Sequence, residues 1–272
     1  MAIIEAQIFS QTLKRIVPIQ VVLPVGKRYP RPEDNGEKGP FKTLYMLHGL
    51  RGNYRDWVIY TQIQNLAEEQ NLAVVMPSGE NSCYVEQVIS DNDFGEYVGK
   101  ELVEITRKMF PLSCDREDTF IGGLSMGGFG ALRNGFKYWQ NFGYIVALSS
   151  AVHFFETDLS KPLDAIFHEY EVFGDREEAA SSDKNPRVAF ANAKKECEEA
   201  GVSMPKVYMA CGTDDSLLWA NRTYKDYLVE NGADVTYSEP KGNHNWDFWN
   251  NQIPLFLKWL PLGNIGKQAV QM

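Results

Sequence analysis

Near the middle of the chain, Gly123-Leu124-Ser125-Met126-Gly127 fits G-x-S-x-G, a pattern in which a serine oxygen can attack an acyl carbon. A β-prone segment, Asp118-Thr-Phe-Ile-Gly122, leads into it, and a helical pattern from Met126 to about Tyr138 leaves it. A serine on so sharp a strand-to-helix turn is crowded from both sides, so the residues two away must lack side chains. Gly123 and Gly127 meet that need, and Gly128 and Gly130 are expected to thin the helix where it presses on a sheet. A glycine-rich turn whose serine only caps a helix would share the pentapeptide; the strand before it and the helix after it favour the nucleophile.

A serine is a weak nucleophile until a histidine takes its proton and a carboxylate holds that histidine in the right tautomer. On a strand-to-helix turn of this kind the partners follow the serine in the order acid, then histidine, each on a loop beyond a strand. The chain has four histidines. His48 precedes the serine, and His153 and His168 lie in a stretch that reads as an insertion. His244 follows the β-like run Asp234-Val-Thr-Tyr-Ser238 and sits in the turn-rich Gly242-Asn-His-Asn-Trp246, which makes it the expected base. The acid is expected after the apolar run Lys206-Val-Tyr-Met-Ala-Cys211, in Gly212-Thr-Asp-Asp-Ser216. Asp214 and Asp215 point opposite ways on extended backbone, so only one of them can face His244. The other is left to solvent or to capping the helix that follows.

Acyl transfer also needs backbone N–H donors where the oxyanion forms. Met126, directly after the serine, is expected to supply one. The other is expected from His48-Gly49-Leu50-Arg51-Gly52, the loop after the run Phe41-Lys-Thr-Leu-Tyr-Met-Leu47, with the Leu50 N–H as donor and His48 as a brace for the loop.

The elements that must hold these residues are legible as periodicities. Alternation in Ile3–Phe9 and Leu13–Leu23 predicts an antiparallel opening pair, and the charged, proline-bearing stretch Lys27–Pro40 predicts a surface loop. Continuous apolar runs then predict strands at Thr43–Leu47, Leu72–Met76, Thr119–Gly123, Tyr144–Leu148, Lys206–Cys211 and Asp234–Ser238. Helical patterns fall at about Tyr60–Gln70, Phe94–Met109, Met126–Tyr138, Arg187–Ala200, Ser216–Glu230 and Trp246–Leu260. Alternation of this kind predicts an α/β fold with a mostly parallel central sheet and helices on both faces. The expected organisation is one domain over 1–272 with a small insertion at about 152–186, after the sixth strand, over the sheet's carboxyl edge. Such an insertion can wall or lid a site.

At 272 residues the chain can bury a sizeable core, and 44% hydrophobic with 23% charged residues suits a water-soluble protein. No apolar run reaches the length of a membrane span, and the first residues carry Glu5 where a secretory leader carries basic residues, so a cytoplasmic location is expected. A net charge of −9 argues against nucleic acid as a partner. The four cysteines, at 83, 114, 197 and 211, form no C-x-x-C pair and no metal-like spacing with histidine.

With Ser125, His244 and the His48 loop placed, the chain resembles the esterase D-like branch of the α/β-hydrolases, and within it the bacterial tributyrin esterases and small acetyl or cinnamoyl esterases. The matching pieces are Leu47-His-Gly-Leu-Arg-Gly-Asn53 with Trp57 following, Val75-Met-Pro77, and Phe120-Ile-Gly-Gly-Leu-Ser-Met-Gly-Gly-Phe-Gly-Ala-Leu132. Cys211-Gly-Thr-Asp-Asp215 and Gly242-Asn-His-Asn-Trp-Asp-Phe-Trp249 complete the set, in the expected order over most of the chain. The resemblance implies that the acid is the third residue after the turn glycine, which is Asp215. It implies the α/β-hydrolase fold and a serine carboxylesterase acting on a small acetyl, butyryl or cinnamoyl ester through an acyl-enzyme. It calls for no metal or organic cofactor and no membrane partner, and it leaves a homo-oligomer open.

The chain departs from the S-formylglutathione hydrolases of the same branch, which carry histidine before the nucleophile and a Ser-Gly-Leu loop where this chain has Leu124 and His48-Gly49-Leu50. That departure weighs against a thioesterase. An acyltransferase would use the same residues with an alcohol in place of water, and a non-catalytic binding protein of this fold would ordinarily lack one of the three residues. Arg51 and Arg55, unusual so near the loop, could meet a substrate anion or pair with surface acids, and the surface role is the expected one. Trp57, Tyr84, Phe154 and Trp219 could line the pocket or belong to core and rim.

Overall fold

The computed structural model describes residues 1–27, 39–159 and 169–263. Eight strands form one sheet: β1 (Ala2–Ser10), β2 (Arg15–Leu23), β3 (Lys42–Leu47), β4 (Leu72–Pro77), β5 (Thr119–Leu124), β6 (Tyr144–Leu148), β7 (Lys206–Ala210) and β8 (Val235–Ser238). The order across the sheet is β1-β2-β4-β3-β5-β6-β7-β8. β1 and β2 pair antiparallel, as does β2 with β4, and every pair from β4 to β8 is parallel. This is the α/β-hydrolase sheet that the resemblance implied. Burial follows position: every residue of β4 and β5 is buried, whereas β1 alternates between covered and open sides at the sheet's edge. Most of the predicted loop Lys27–Pro40 lies outside the described residues.

The helices are α1 (Asp56–Tyr60), α2 (Ile63–Glu69), α3 (Phe94–Glu96), α4 (Leu102–Met109), α5 (Met126–Lys137), α6 (Glu169–Phe173), α7 (Arg176–Ala180), α8 (Pro186–Ala200), α9 (Leu218–Glu230) and α10 (Trp246–Trp259). Strand residues alternate between two cores because successive side chains point to opposite faces. Leu44, Met46, Phe120 and Val146 meet Trp57, Ile63, Ala67, Ile253 and Phe256 on one side, under α1, α2 and α10. Tyr45, Leu47, Ile121 and Ala147 meet Phe129, Leu132, Phe136, Phe190 and Tyr224 on the other, under α5, α8 and α9. Among the described residues no helix is long and apolar enough to cross a membrane.

Two predicted helices differ in detail. The pattern read as Tyr60–Gln70 is helical only over α2, and the short α1 before it was not predicted; the two are parted because Thr61 is extended, its hydroxyl accepts the Ile63 N–H at 3.1 Å, and the Asn250 side chain accepts the Gln62 N–H at 2.9 Å. The Phe94–Met109 pattern holds, but Tyr97–Glu101 between α3 and α4 is a π-turn. Its Glu101 carboxylate accepts from Ser10 Oγ at 2.5 Å and from the Gln11 N–H at 2.6 Å, so it caps the β1–β2 turn. Between β6 and α8 the described residues form a short 3-10 turn, Val152–Phe155, then α6 and α7.

A charge cluster around one buried arginine ties this stretch to α5. Arg133 is fully buried; its Nη2 binds Asp183 at 3.0 Å and the Glu86 carboxylate, and Lys137 reaches both acids, at 3.0 and 3.1 Å. The neighbouring Asn134 Nδ2 donates to the Tyr84 carbonyl at 2.8 Å, which sets the loop after β4 against the same helix.

Candidate active site

Ser125 stands alone between the end of β5 and the start of α5, with φ 53° and ψ −119°. A non-glycine residue in that region is strained, and it persists only where its surroundings over-determine it. Here the Ser125 N–H donates to the Leu148 carbonyl at 2.9 Å, and its own carbonyl accepts from the Phe129 and Ala151 N–H groups at 3.0 Å each. Crowding explains the flanking glycines. A Cβ on Gly123 would lie 2.4 Å from the Gly127 carbonyl carbon, and one on Gly127 would lie 2.3 Å from the Leu47 oxygen. Gly128 fits against Ser150 and Leu148 at the end of β6, but Gly130 fits against the Tyr84 ring and not against the sheet.

The loops after β7 and β8 bring the two other expected residues to this serine. His244 Nε2 lies 3.0 Å from Ser125 Oγ, and His244 Nδ1 lies 2.9 Å from Asp215 Oδ2. The other Asp215 oxygen accepts the Leu217 N–H at 2.9 Å. Burial pushes the Asp215 carboxyl up. Hydrogen bonds from His244 and the Leu217 amide, the imidazole charge and the Ser149 hydroxyl outweigh it, so the carboxyl stays below the ordinary aspartate value. Asp214 faces solvent. Its N–H donates to the Gly242 carbonyl at 2.8 Å, which draws the Asp215 loop onto the His244 loop.

Ser149 and Trp249 complete this arrangement, and neither was marked as a site residue by the sequence. Ser149 follows β6 at φ 46°, fully buried, and its Oγ accepts from the Trp249 indole at 3.1 Å. An accepted bond on one side leaves the hydroxyl hydrogen for the Asp215 side. The Trp249 ring also meets His244 edge-on, with centroids 5.0 Å apart. The signals in the sequence were Ser149-Ser150 directly after an apolar strand and Trp249 at the end of the matched Gly242–Trp249 piece.

The loop after β3 is braced as expected. His48 Nε2 accepts the Gly79 N–H at 2.9 Å, so Nδ1 carries the proton and donates to the Gly49 carbonyl at 2.8 Å. Burial lowers the His48 pKa, against the pull of that carbonyl and of Asp56, which suits a neutral ring in a purely structural place. Tyr84 Oη donates to the His48 carbonyl at 3.0 Å. The brace therefore runs from α5 through Tyr84 to the loop that carries Leu50.

Ser125, His244, Leu50 and Met126 all line one cavity of about 940 Å³. Met126 opens α5, where an N–H has no intrahelical acceptor. Tyr60, Trp246 and Trp249 form an aromatic wall, with Tyr60 stacked on Trp246 at 5.0 Å. Of the four aromatics raised by the sequence only Phe154 lines the cavity; Trp57 and Tyr84 are wholly buried, and Trp219 is exposed outside the lining. His153, set aside on sequence, also lines it, whereas His168 lies outside the described residues. The two arginines part company: Arg55 pairs with Glu5 at 2.6 Å, as a surface arginine should, while Arg51 lines the cavity.

This geometry has relatives. The chain is 43% identical over 265 residues to an acetyl esterase from Caldicellulosiruptor saccharolyticus, covering 96% of this chain and 98% of that one. The fold matches a fluorophosphonate-binding serine hydrolase from Staphylococcus aureus at a TM-score of 0.81 and 25% identity, over 97% and 99% of the two chains. It also matches an S-formylglutathione hydrolase from the same organism at a TM-score of 0.79 and 26% identity, over 96% and 99%. The Esterase family, described as "Putative esterase", matches residues 10–260. The chain thus belongs to the esterase family and is a carboxylic ester hydrolase on an α/β-hydrolase fold.

Proposed function

We propose that this protein is a serine carboxylesterase that cleaves short acyl esters, acetyl foremost, through an acyl-enzyme. The observation that carries the reading is His244, which bridges Ser125 Oγ and Asp215 Oδ2 at 3.0 and 2.9 Å on the wall of the cavity. Ser125 Oγ attacks the ester carbonyl while His244 Nε2 takes its proton. The depressed Asp215 carboxyl remains ionised, holds the proton on Nδ1 and offsets the charge of the imidazolium. The Leu50 and Met126 N–H groups receive the oxyanion. As the tetrahedral carbon collapses, His244 gives the proton to the departing alkoxide. Water then attacks the acyl carbon as His244 takes its proton; the bond from that carbon to Ser125 Oγ breaks, His244 returns the proton to Oγ, and the carboxylic acid leaves and ionises in solvent. The acetyl preference is supported by the acetyl esterase relative. The likeness to S-formylglutathione hydrolases supports a second substrate class, thioesters, attacked by the same groups.

The test is hydrolysis of p-nitrophenyl esters from acetate to decanoate, beside a phenyl thioacetate, with wild type and Ser125→Ala. Loss of the nucleophile is expected to cost about 10⁴–10⁶-fold in kcat and to abolish labelling by a fluorophosphonate. Equal turnover by Ser125→Ala, or no turnover by wild type, would overturn the reading.

A further inference from the structure

Among the described residues, the rim of the cavity carries one arginine that the ester chemistry does not use. Arg15, Arg55, Arg116, Arg187 and Arg222 each bind a carboxylate, and the remaining described arginines are likewise hydrogen-bonded. Arg51 differs: its backbone N–H donates to Asn81 Oδ1 at 2.8 Å, but its guanidinium meets no partner among the described residues. The residue is exposed and belongs to the lining of the cavity. Its backbone is held at φ 62°, a strained setting for arginine that the Asn81 contact and the Gly52 N–H to Gly49 carbonyl bond, at 3.1 Å, maintain. The residue before it, Leu50, carries the proposed oxyanion donor, so Arg51 is one residue from the reacting carbonyl.

We propose that Arg51 is an anion-reading subsite, and that the preferred esters have a leaving alcohol bearing a carboxylate or phosphate. The inference rests on the short-acyl esterase reading: an acetyl group has no charge, so an anion met by Arg51 belongs to the leaving group. A guanidinium presents a planar fork of donors that matches a carboxylate or phosphate edge to edge. With a net charge of −9, the chain as a whole repels anionic substrates, and selection for one requires a local cation. Asp56, also in the lining, is turned to the loop, where its Oδ2 accepts the Asn53 N–H at 3.1 Å.

The probes are 3- and 4-acetoxybenzoate, each beside its neutral methyl ester, with wild type, Arg51→Gln and Arg51→Lys. The readout is the ratio of kcat/KM for the anionic over the neutral ester. Intrinsic reactivity and any general damage to the fold enter both esters alike and cancel between variants. Arg51→Gln is expected to lower the ratio about tenfold for at least one isomer, and Arg51→Lys to restore part of it. Raising salt from 0.05 to 0.5 M should lower the wild-type ratio, whereas that of Arg51→Gln should hold or rise as the repulsion by the net charge is screened. An unchanged ratio in Arg51→Gln for both isomers, with the neutral esters turned over normally, overturns this inference alone. No turnover of the neutral esters by wild type overturns the esterase reading and this inference with it.

Discussion

Replacing Asp215 by asparagine changes one atom and forces a choice that the loop cannot satisfy. In the native site both acceptors of the carboxylate are used, one by His244 Nδ1 at 2.9 Å and the other by the Leu217 N–H at 2.9 Å. Asparagine has one acceptor and one donor group. If its NH₂ turns to His244, Nδ1 must accept, the ring proton moves to Nε2, and the atom 3.0 Å from Ser125 Oγ can no longer take a proton. If its oxygen turns to His244, the NH₂ faces the Leu217 N–H, and a buried clash of two donors costs about 1–3 kcal/mol. In both settings the charge that offsets the imidazolium is gone. The expected loss is about 10³–10⁴-fold in kcat/KM, or about 4–5.5 kcal/mol of barrier at 1.36 kcal/mol per decade. Asp214→Asn alters an exposed side chain and should stay within about twofold, as surface changes do. Initial rates on p-nitrophenyl acetate at pH 8, for wild type and both variants, decide the matter. The reasoning fails if Asp215→Asn keeps more than a tenth of wild-type activity, or if Asp214→Asn is the severe change.

Two further outcomes follow from the packing around the site. Ser149→Ala removes a hydroxyl that holds the Asp215 carboxyl down and strands the buried Trp249 indole donor. A drop of about tenfold in kcat/KM is expected, steeper at low pH because Asp215 then protonates at a higher pH; profiles that superimpose within twofold would show Ser149 to be idle. Glu86→Gln should cost stability at the lower end of about 3–5 kcal/mol, since it strips one partner from the fully buried Arg133 while Asp183 remains. For a chain of this size that is a Tm drop of roughly 6–12 °C. Burial pushes the Glu86 carboxyl up, but the charge and hydrogen bonds of Arg133, with Lys137, bring it down to about 2 from 4.5. Its folded pKa lies below its unfolded one, so its contribution is complete above pH 4.5 and is lost as pH falls toward 2. The Tm gap between wild type and Glu86→Gln should narrow from pH 7 to 3.5, and a constant gap would refute the assignment.

Local sequence determined much of this protein. The strand runs and helix patterns fall where the sheet and its cover fall, because apolar period and burial are tied by backbone geometry. Ser125 was legible because its strained turn demands glycine on both sides, which leaves a mark only five residues long. His244 was legible because few histidines compete and one alone follows a late strand. Asp215 needed more than the residues themselves, since adjacent aspartates look alike until the loop is folded; the Asp214 amide, bound to Gly242, then settles which carboxylate turns inward. Ser149 follows β6, Tyr60 ends α1, and Trp246 and Trp249 share the first turn of α10, so their meeting around His244 and the cavity is set by sheet order. The same holds for Arg51 and Arg55. They are alike in chain position and composition, yet Glu5 from the edge strand β1 pairs with the guanidinium of one, while that of the other meets no partner among the described residues. Periodicity is a property of neighbours in the chain, whereas a partner for a charge is a property of neighbours in space, and only the tertiary structure supplies those.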